Sequence, residues 1–248
     1  MVRLLLLSSF LCLSLHQIQA QKTVLKEQGS WFSLTHNIKI SNKLSVSHLS
    51  QMRRVDHFEN IQVLLLKPSI NYTFNKNLSA GLGYVHFRSY PNGVRHAPIK
   101  KSEQRIWQHL THKTSWGAVN ISNRLIFEQR YKDIVNATVT PPEIKGRSYA
   151  QRFRYRLMGT FKVARLSGRT VLWGKVSNET RIRFNGGLSN GEFDQNNLYG
   201  FLGLNLLENS KLWVGYGRDY KKVNDGLFIA HDIIHVSLSY DLDLRKNM

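Results

Sequence analysis

The chain has 248 residues, one cysteine, 42% hydrophobic residues and a formal net charge of +19 at pH 7. A single cysteine excludes a disulfide framework within the chain, and the lack of any run near 18 apolar residues excludes helical membrane spans. The cations are spread along alternating segments instead of gathered on one helix or patch, which sets nucleic acid aside as a partner.

The first residues, MVRLLLLSSFLCLSLHQIQA, place Arg3 before an apolar run from Leu4 to Leu15 and close on Ala20. That is the layout of a secretory signal peptide, residues 1–20, with cleavage after Ala20. Residues 21–248 are then expected to form a single exported domain with no cysteine, since Cys12 lies in the leader. For an exported cationic protein the natural counter-charges are phosphate-bearing lipid headgroups and lipopolysaccharide.

From residue 29 onward the chain breaks into eleven similar pieces separated by Gly, Asn, Asp, Ser or Pro, and each reads as a strand. They run roughly from Trp31 to Ile40, Leu44 to Val55, Ile61 to Phe74, Leu78 to Tyr90, Glu103 to Lys113 and Ala118 to Arg130. The series continues with Tyr149 to Val163, Val171 to Phe184, Asn197 to Leu206, Lys211 to Tyr220 and Leu227 to Leu242. Successive strand side chains point to opposite faces, so Tyr149, Phe153, Tyr155, Leu157, Phe161 and Val163 make an apolar stripe. Arg152, Arg154, Arg156, Thr160 and Lys162 line the other face. Three arginines in a row cannot enter a dry core unpaired. Val119, Ile121, Leu125 and Phe127 repeat the pattern, as does the closing strand, whereas it weakens in Leu44 to Val55 and around Trp107.

Alternation does not say which face points inward; strand number does. About eight strands enclose a space that side chains fill, and ten or more enclose one too wide for a dry apolar interior. The expected fold is therefore all-β, an antiparallel up-and-down transmembrane β-barrel whose apolar face meets lipid around a hydrated lumen. A flattened β-sandwich is the alternative. Antiparallel closure with both ends on one side requires an even strand number, so the expectation is 10 to 12, with 12 favoured if Leu25 to Trp31 starts a further strand. Counting back from the last strand, the links at 221–226, 185–196, 131–148 and 91–102 fall on one side. The mostly shorter links at 207–210, 114–117 and 75–77 fall on the other, with 164–170 an exception, as in bacterial outer-membrane barrels. Tyr72, Phe74, Tyr90, Trp116, Phe184, Trp213, Tyr220 and Tyr240 are candidates for the interfacial aromatic girdles.

The segments EQRIWQ (Glu103 to Gln108), NRLIFEQR (Asn123 to Arg130) and RFRYRL (Arg152 to Leu157) resemble an uncharacterised bacterial family, domain-of-unknown-function family 2490. The Gly29-Ser30-Trp31 opening, Gly83-Tyr84 and the closing HVSLSYDL (His235 to Leu242) fit the same pattern. The resemblance implies a short Gram-negative outer-membrane β-barrel, served by the barrel insertion machinery and surrounded by outer-membrane lipids and lipopolysaccharide. It implies no mechanism. Such barrels commonly finish on an aromatic residue, whereas Asp243 to Met248 here continues past Tyr240 and Leu242.

The candidate site is an ionic set on the polar faces of three successive strands: Arg124, Glu128 and Arg130; Arg152, Arg154 and Arg156; Glu179, Arg181 and Arg183. Cross-strand neighbours of opposite sign attract, and the excess of cations calls for further lumen acids, water or a bound anion. Two readings stand: a structural network filling a narrow lumen, and an anion site or constriction admitting small anionic solutes. No cofactor or metal is expected, because the histidines show no ligand spacing beyond loose pairs such as His109 with His112 and His231 with His235. The expected role is non-enzymatic, a narrow pore or a structural, lipid-interacting barrel. The alternatives are an outer-membrane lipid-modifying enzyme, for which no GxSxG turn appears, and a soluble periplasmic β-sandwich binding acidic ligands.

Overall fold

The computed structural model describes residues 22–247 apart from 57, 168–169, 185–187 and 189. The leader expected at residues 1–20 lies outside the described residues. Among those described, eleven strands follow one another: β1 (Thr23–Lys39), β2 (Leu44–Val55), β3 (Asn60–Thr73), β4 (Leu78–Ser89), β5 (Lys101–Trp116), β6 (Val119–Asn136), β7 (Glu143–Ser167), β8 (Thr170–Phe184), β9 (Gly191–Leu207), β10 (Ser210–Asn224) and β11 (Leu227–Asp243). Each pairs with its sequence neighbours, and β1 pairs with β11, so the sheet closes into one barrel. A sheet closed on itself has no free edge, and the sandwich alternative is not formed.

The seam differs from the expectation. The β1–β11 pairing is parallel, from Thr23 opposite Leu227 to Lys39 opposite Asp243, while every other pair is antiparallel. Twelve strands and a wholly antiparallel barrel are thus corrected to eleven strands and a mixed sheet. Leu25 to Trp31 is the first half of β1, which runs unbroken to Lys39. Parallel hydrogen bonding accommodates an odd strand number because it needs no reversal of direction at closure.

Alternation sets the two surfaces. In β7, Tyr155 and Leu157 are 42% and 45% exposed, while Arg152, on the opposite face, is 3% exposed. Around the ring, Leu66, Leu82, Leu125, Val176, Leu202 and Ile234 are all exposed on the outside. The interior carries the charges together with two apolar clusters: Val63, Leu65, Val85, Trp107 and Ile126 on β3 to β6, and Trp31, Tyr199 and Ile233 across the seam side.

Interior rings fit because glycines face them. Gly83 is the register partner of Trp107, and a Cβ at Gly83 would lie 2.6 Å from Trp107 Cε2. The same indole repairs a gap in the ladder. Pro68 has no N–H, and pairing of β3 with β4 lapses there while the register holds on both sides, Leu66 opposite His86 and Ser69 opposite Gly83. Trp107 Nε1 donates to the Tyr84 carbonyl at 3.4 Å, supplying from inside the donor that proline removes. Trp213, read from sequence as a girdle residue, is also interior and 8% exposed.

The two rims are unequal. The links β1–β2, β3–β4, β5–β6, β7–β8 and β9–β10 share one rim with the end of β11, while the links β2–β3, β4–β5, β6–β7, β8–β9 and β10–β11 share the other. The expected exception at 164–170 disappears because β7 extends to Ser167. The longest connection, 90–100, folds over the mouth. Val94 N donates to Glu27 Oε1 at 2.5 Å and Asn92 Nδ2 to the Ile61 carbonyl at 2.8 Å.

Candidate functional site

The interior charges form a chain of ion pairs that crosses the barrel on β5 to β10. Glu103 accepts from Arg105 Nε at 2.8 Å and from Arg130 Nε at 2.5 Å. Asp194 Oδ2 lies 3.8 Å from Arg130 Nη1 and 3.0 Å from Arg152 Nη1. Glu128, with no exposed surface, accepts from Arg152 Nε at 2.7 Å and Arg154 Nη1 at 2.5 Å. Glu179 then takes Arg154 Nη2 at 2.6 Å and Arg181 Nε at 2.8 Å, and Arg181 Nη1 donates to Gln195, whose amide meets Asp219. Two neighbours of one sign thus rarely meet without a carboxylate between them, and the girdle is close to neutral. It fills the lumen at its own level and leaves chambers on either side.

Below the girdle the balance changes. Arg53, Lys67, Arg156 and Lys175 line one chamber of about 260 Å³, and among the described residues none of the four makes an ion pair. Aromatic faces replace carboxylates. Arg53 stacks on Trp31 at 3.8 Å, Lys67 sits over Trp107 at 4.0 Å, and Lys175 lies 4.1 Å from both Phe201 and Trp213. Ring quadrupoles attract a cation without neutralising it, so the chamber keeps its positive potential. Arg156 is opposite Glu179 in register, yet that carboxylate turns to Arg154 and Arg181.

Two buried donors of this chamber find no acceptor in the protein, Trp31 Nε1 and Arg156 Nε, while the Tyr199 hydroxyl meets the Asn197 amide. An unsatisfied buried donor costs about 1–3 kcal/mol, so two around one cationic cavity mark a place shaped for something that accepts. The volume equals roughly nine water molecules at about 30 Å³ each. A phosphate, sulfate or carboxylate group is the matching chemistry.

Above the girdle a second chamber of about 210 Å³ lies under the 90–100 connection. Glu27 organises it, holding Val94 N, Gln62 Nε2 at 3.1 Å and the His231 ring. Sequence reading placed Glu27 only within Leu25 to Trp31, a candidate strand start, and assigned it no role.

Of the nine residues singled out from sequence, Glu128, Arg130, Arg152, Arg154, Glu179 and Arg181 lie in the girdle. Arg124 donates to Thr111 Oγ1 at 2.8 Å, Arg156 faces the lower chamber, and Arg183 pairs with Glu192 at 3.0 Å near the rim. The girdle's other acids were missed. Glu103 alternates correctly with Arg105 and Trp107, but an indole among polar residues hides that face. Asp194 is hidden more deeply: a register shift between Arg181 and Ile182 lets Asp194 and Gln195 both turn inward, which no strict alternation anticipates. Of the histidines, His109 uses both ring nitrogens, on Thr111 and Asn71 at 3.0 Å each, and His235 meets Ser33 Oγ at 2.8 Å.

Residues 28–227 match the model of a family described as a protein of unknown function (DUF2490). No curated protein matches the sequence.

Proposed function

The chain belongs to the DUF2490 family, and from that membership and the geometry we propose that it is an outer-membrane β-barrel of a Gram-negative cell, exported behind a cleaved leader, whose lumen holds an anionic group. The carrying observation is the inside-out layout: an apolar exterior exposed around the whole ring, enclosing a charged interior with two unsatisfied donors in one cationic chamber. Soluble proteins rarely leave more than a few hundred Å² of contiguous apolar surface to water, whereas a membrane barrel needs such a band. The unequal rims support a placement with the longer connections outside. Outer-membrane lipids and lipopolysaccharide are then the surroundings, and the insertion machinery a transient partner.

The girdle argues for retention over free passage. A wide diffusion pore needs an unobstructed lumen, and here five guanidinium groups and their carboxylates cross it. Binding is what the chamber below is equipped for, with fixed cations whose charge is not cancelled. Inorganic pyrophosphate titrated into the barrel in vesicles should change the fluorescence of Trp31, which lines the chamber. Arg156→Gln and Lys175→Gln should each weaken binding by tenfold or more, and Arg147→Gln, exposed outside the chamber, should not. Equal affinity in all four proteins, or large ohmic conductance in planar bilayers, would refute this reading.

A further inference from the structure

The lumen does not account for one polar pair on the outside. His48 and Ser50 are two residues apart on β2 and so share its outer face. His48 Nε2 and Ser50 Oγ are 2.9 Å apart, within the reach that joins a base to a serine nucleophile. Both lie mid-strand, and Ser50 sits among exposed apolar neighbours, opposite Leu34 of β1 and Leu66 of β3 in register. Polar side chains placed against hydrocarbon are costly and mark function more often than packing.

Ser50 also lines a cavity of about 680 Å³ on the outer wall. Phe32, Leu34, Met52, Leu64 and Leu66 make it apolar, and Arg88 is the Lys or Arg residue in its lining. That size suits a substantial ligand. Arg54, near the end of β2 at the longer-loop rim, marks the headgroup level. Ser50 is four residues further down the strand, about 10 Å deeper at about 3.3 Å per residue and about 40° tilt. Ser50 thus lies at the upper edge of the acyl region, and a lipid drawn a few ångströms down the wall brings its ester carbonyl to Ser50 while its acyl chain lies along the groove and its phosphate faces Arg88.

The geometry points to an acyl-ester hydrolase on the outer wall, acting on lipids of the surrounding leaflet; this rests on the membrane placement proposed above. Ser50 Oγ attacks the ester carbonyl as His48 Nε2 takes its proton. The bond from the carbonyl carbon to the alcohol oxygen breaks, and His48 protonates the departing alcohol. Water then attacks the acyl-Ser50 ester, its proton passing through His48 to Ser50 Oγ, which releases a fatty acid and regenerates the pair. Among the described residues no carboxylate orients His48, whose register neighbours are His36 and Pro68. Turnover should therefore be slow, since loss of the orienting acid alone costs a complete triad about 10⁴-fold.

The full chain, folded in detergent, is treated with a fluorophosphonate probe and its peptides are weighed. The expected adduct is on Ser50, absent in Ser50→Ala and reduced by about 100-fold or more in His48→Asn. Release of p-nitrophenol from an acyl ester in micelles, and of fatty acid from phosphatidylethanolamine vesicles, should fall in the same variants. Boiled and unboiled gel mobilities confirm that each variant is folded. A folded wild-type barrel carrying no adduct at Ser50, or Ser50→Ala hydrolysing both esters at the wild-type rate, overturns the proposal. Vesicle flotation reads the membrane placement separately: a protein that labels at Ser50 but does not float retains the dyad and loses the lipid substrate.

Discussion

Glu128 has no exposed surface and serves two arginines, so Glu128→Gln tests whether the girdle holds the barrel together. Removing one partner of a buried ion pair costs about 3–5 kcal/mol, because the remaining charge stays buried without compensation. Here neither arginine is left alone. Arg152 keeps Asp194 at 3.0 Å, and Arg154 keeps Glu179 at 2.6 Å. Glutamine also retains a carbonyl acceptor for one of them. The expected loss is therefore near the low end, about 3 kcal/mol, or roughly a hundredfold in the unfolding equilibrium. Glu192→Gln is the control, since its pair with Arg183 is half exposed and such pairs contribute under about 1 kcal/mol. Reversible urea unfolding of both variants in lipid vesicles, followed by tryptophan fluorescence, measures the difference. Adding Arg152→Met to Glu128→Gln should recover part of the loss by removing a buried charge. If Glu128→Gln and Glu192→Gln agree within about 0.5 kcal/mol, the girdle is not a structural element and the argument fails.

Leu157→Arg separates a lipid-facing wall from a wetted one: against hydrocarbon it should destabilise by about 2–4 kcal/mol, whereas on a wetted surface it should stay within about 0.5 kcal/mol. The same unfolding assay in vesicles decides between these. Gly83→Ala should cost about 1–3 kcal/mol, since its methyl group meets Trp107 in an interior that cannot yield; a neutral result would mean that the indole moves freely.

Much of this fold is legible because period-two alternation survives in nearly every strand. Leu44 to Val55 and Glu103 to Lys113 read poorly for one shared reason: their two faces do not differ in polarity. Leu49 and Trp107 are interior and apolar, while His48, Ser50 and Gln108 are exterior and polar. Strand ends were drawn short at the rims, where Tyr131–Asn136 of β6 pairs with residues 143–149 of β7 in a polar stretch that resembles a loop. Strand parity does not constrain this barrel, because its seam is parallel and no even count is needed for closure. In the site, Asp194 depends on a bulge and Glu27 on a loop that arrives from residue 94. Neither long-range fact has a local signature. The His48–Ser50 spacing, by contrast, is visible in the sequence, and only the unclear facing of that strand concealed it.

The parallel seam explains why the interior side chains beside it are so specifically paired. Parallel strands gain slightly less per residue than antiparallel ones, and no hairpin turn fixes the register of β1 on β11, whose pairing joins the two ends of the described sheet. Side chains must supply that information. Glu27 meets His231, Ser33 meets His235, Asn37 Nδ2 donates to Asp241 at 2.8 Å, and Lys39 reaches Asp243 at 3.8 Å. All lie on the interior face, so a slip of one residue would turn every such group on one strand outward and carry its apolar side chains into the charged lumen. Trp31, edge-on to His235 at 5.8 Å and beneath Arg53, couples the same seam to the cationic chamber. The residues that set closure are therefore continuous with those that surround the unsatisfied donors, and an occupant of that chamber would stabilise the joint between the first strand and the last.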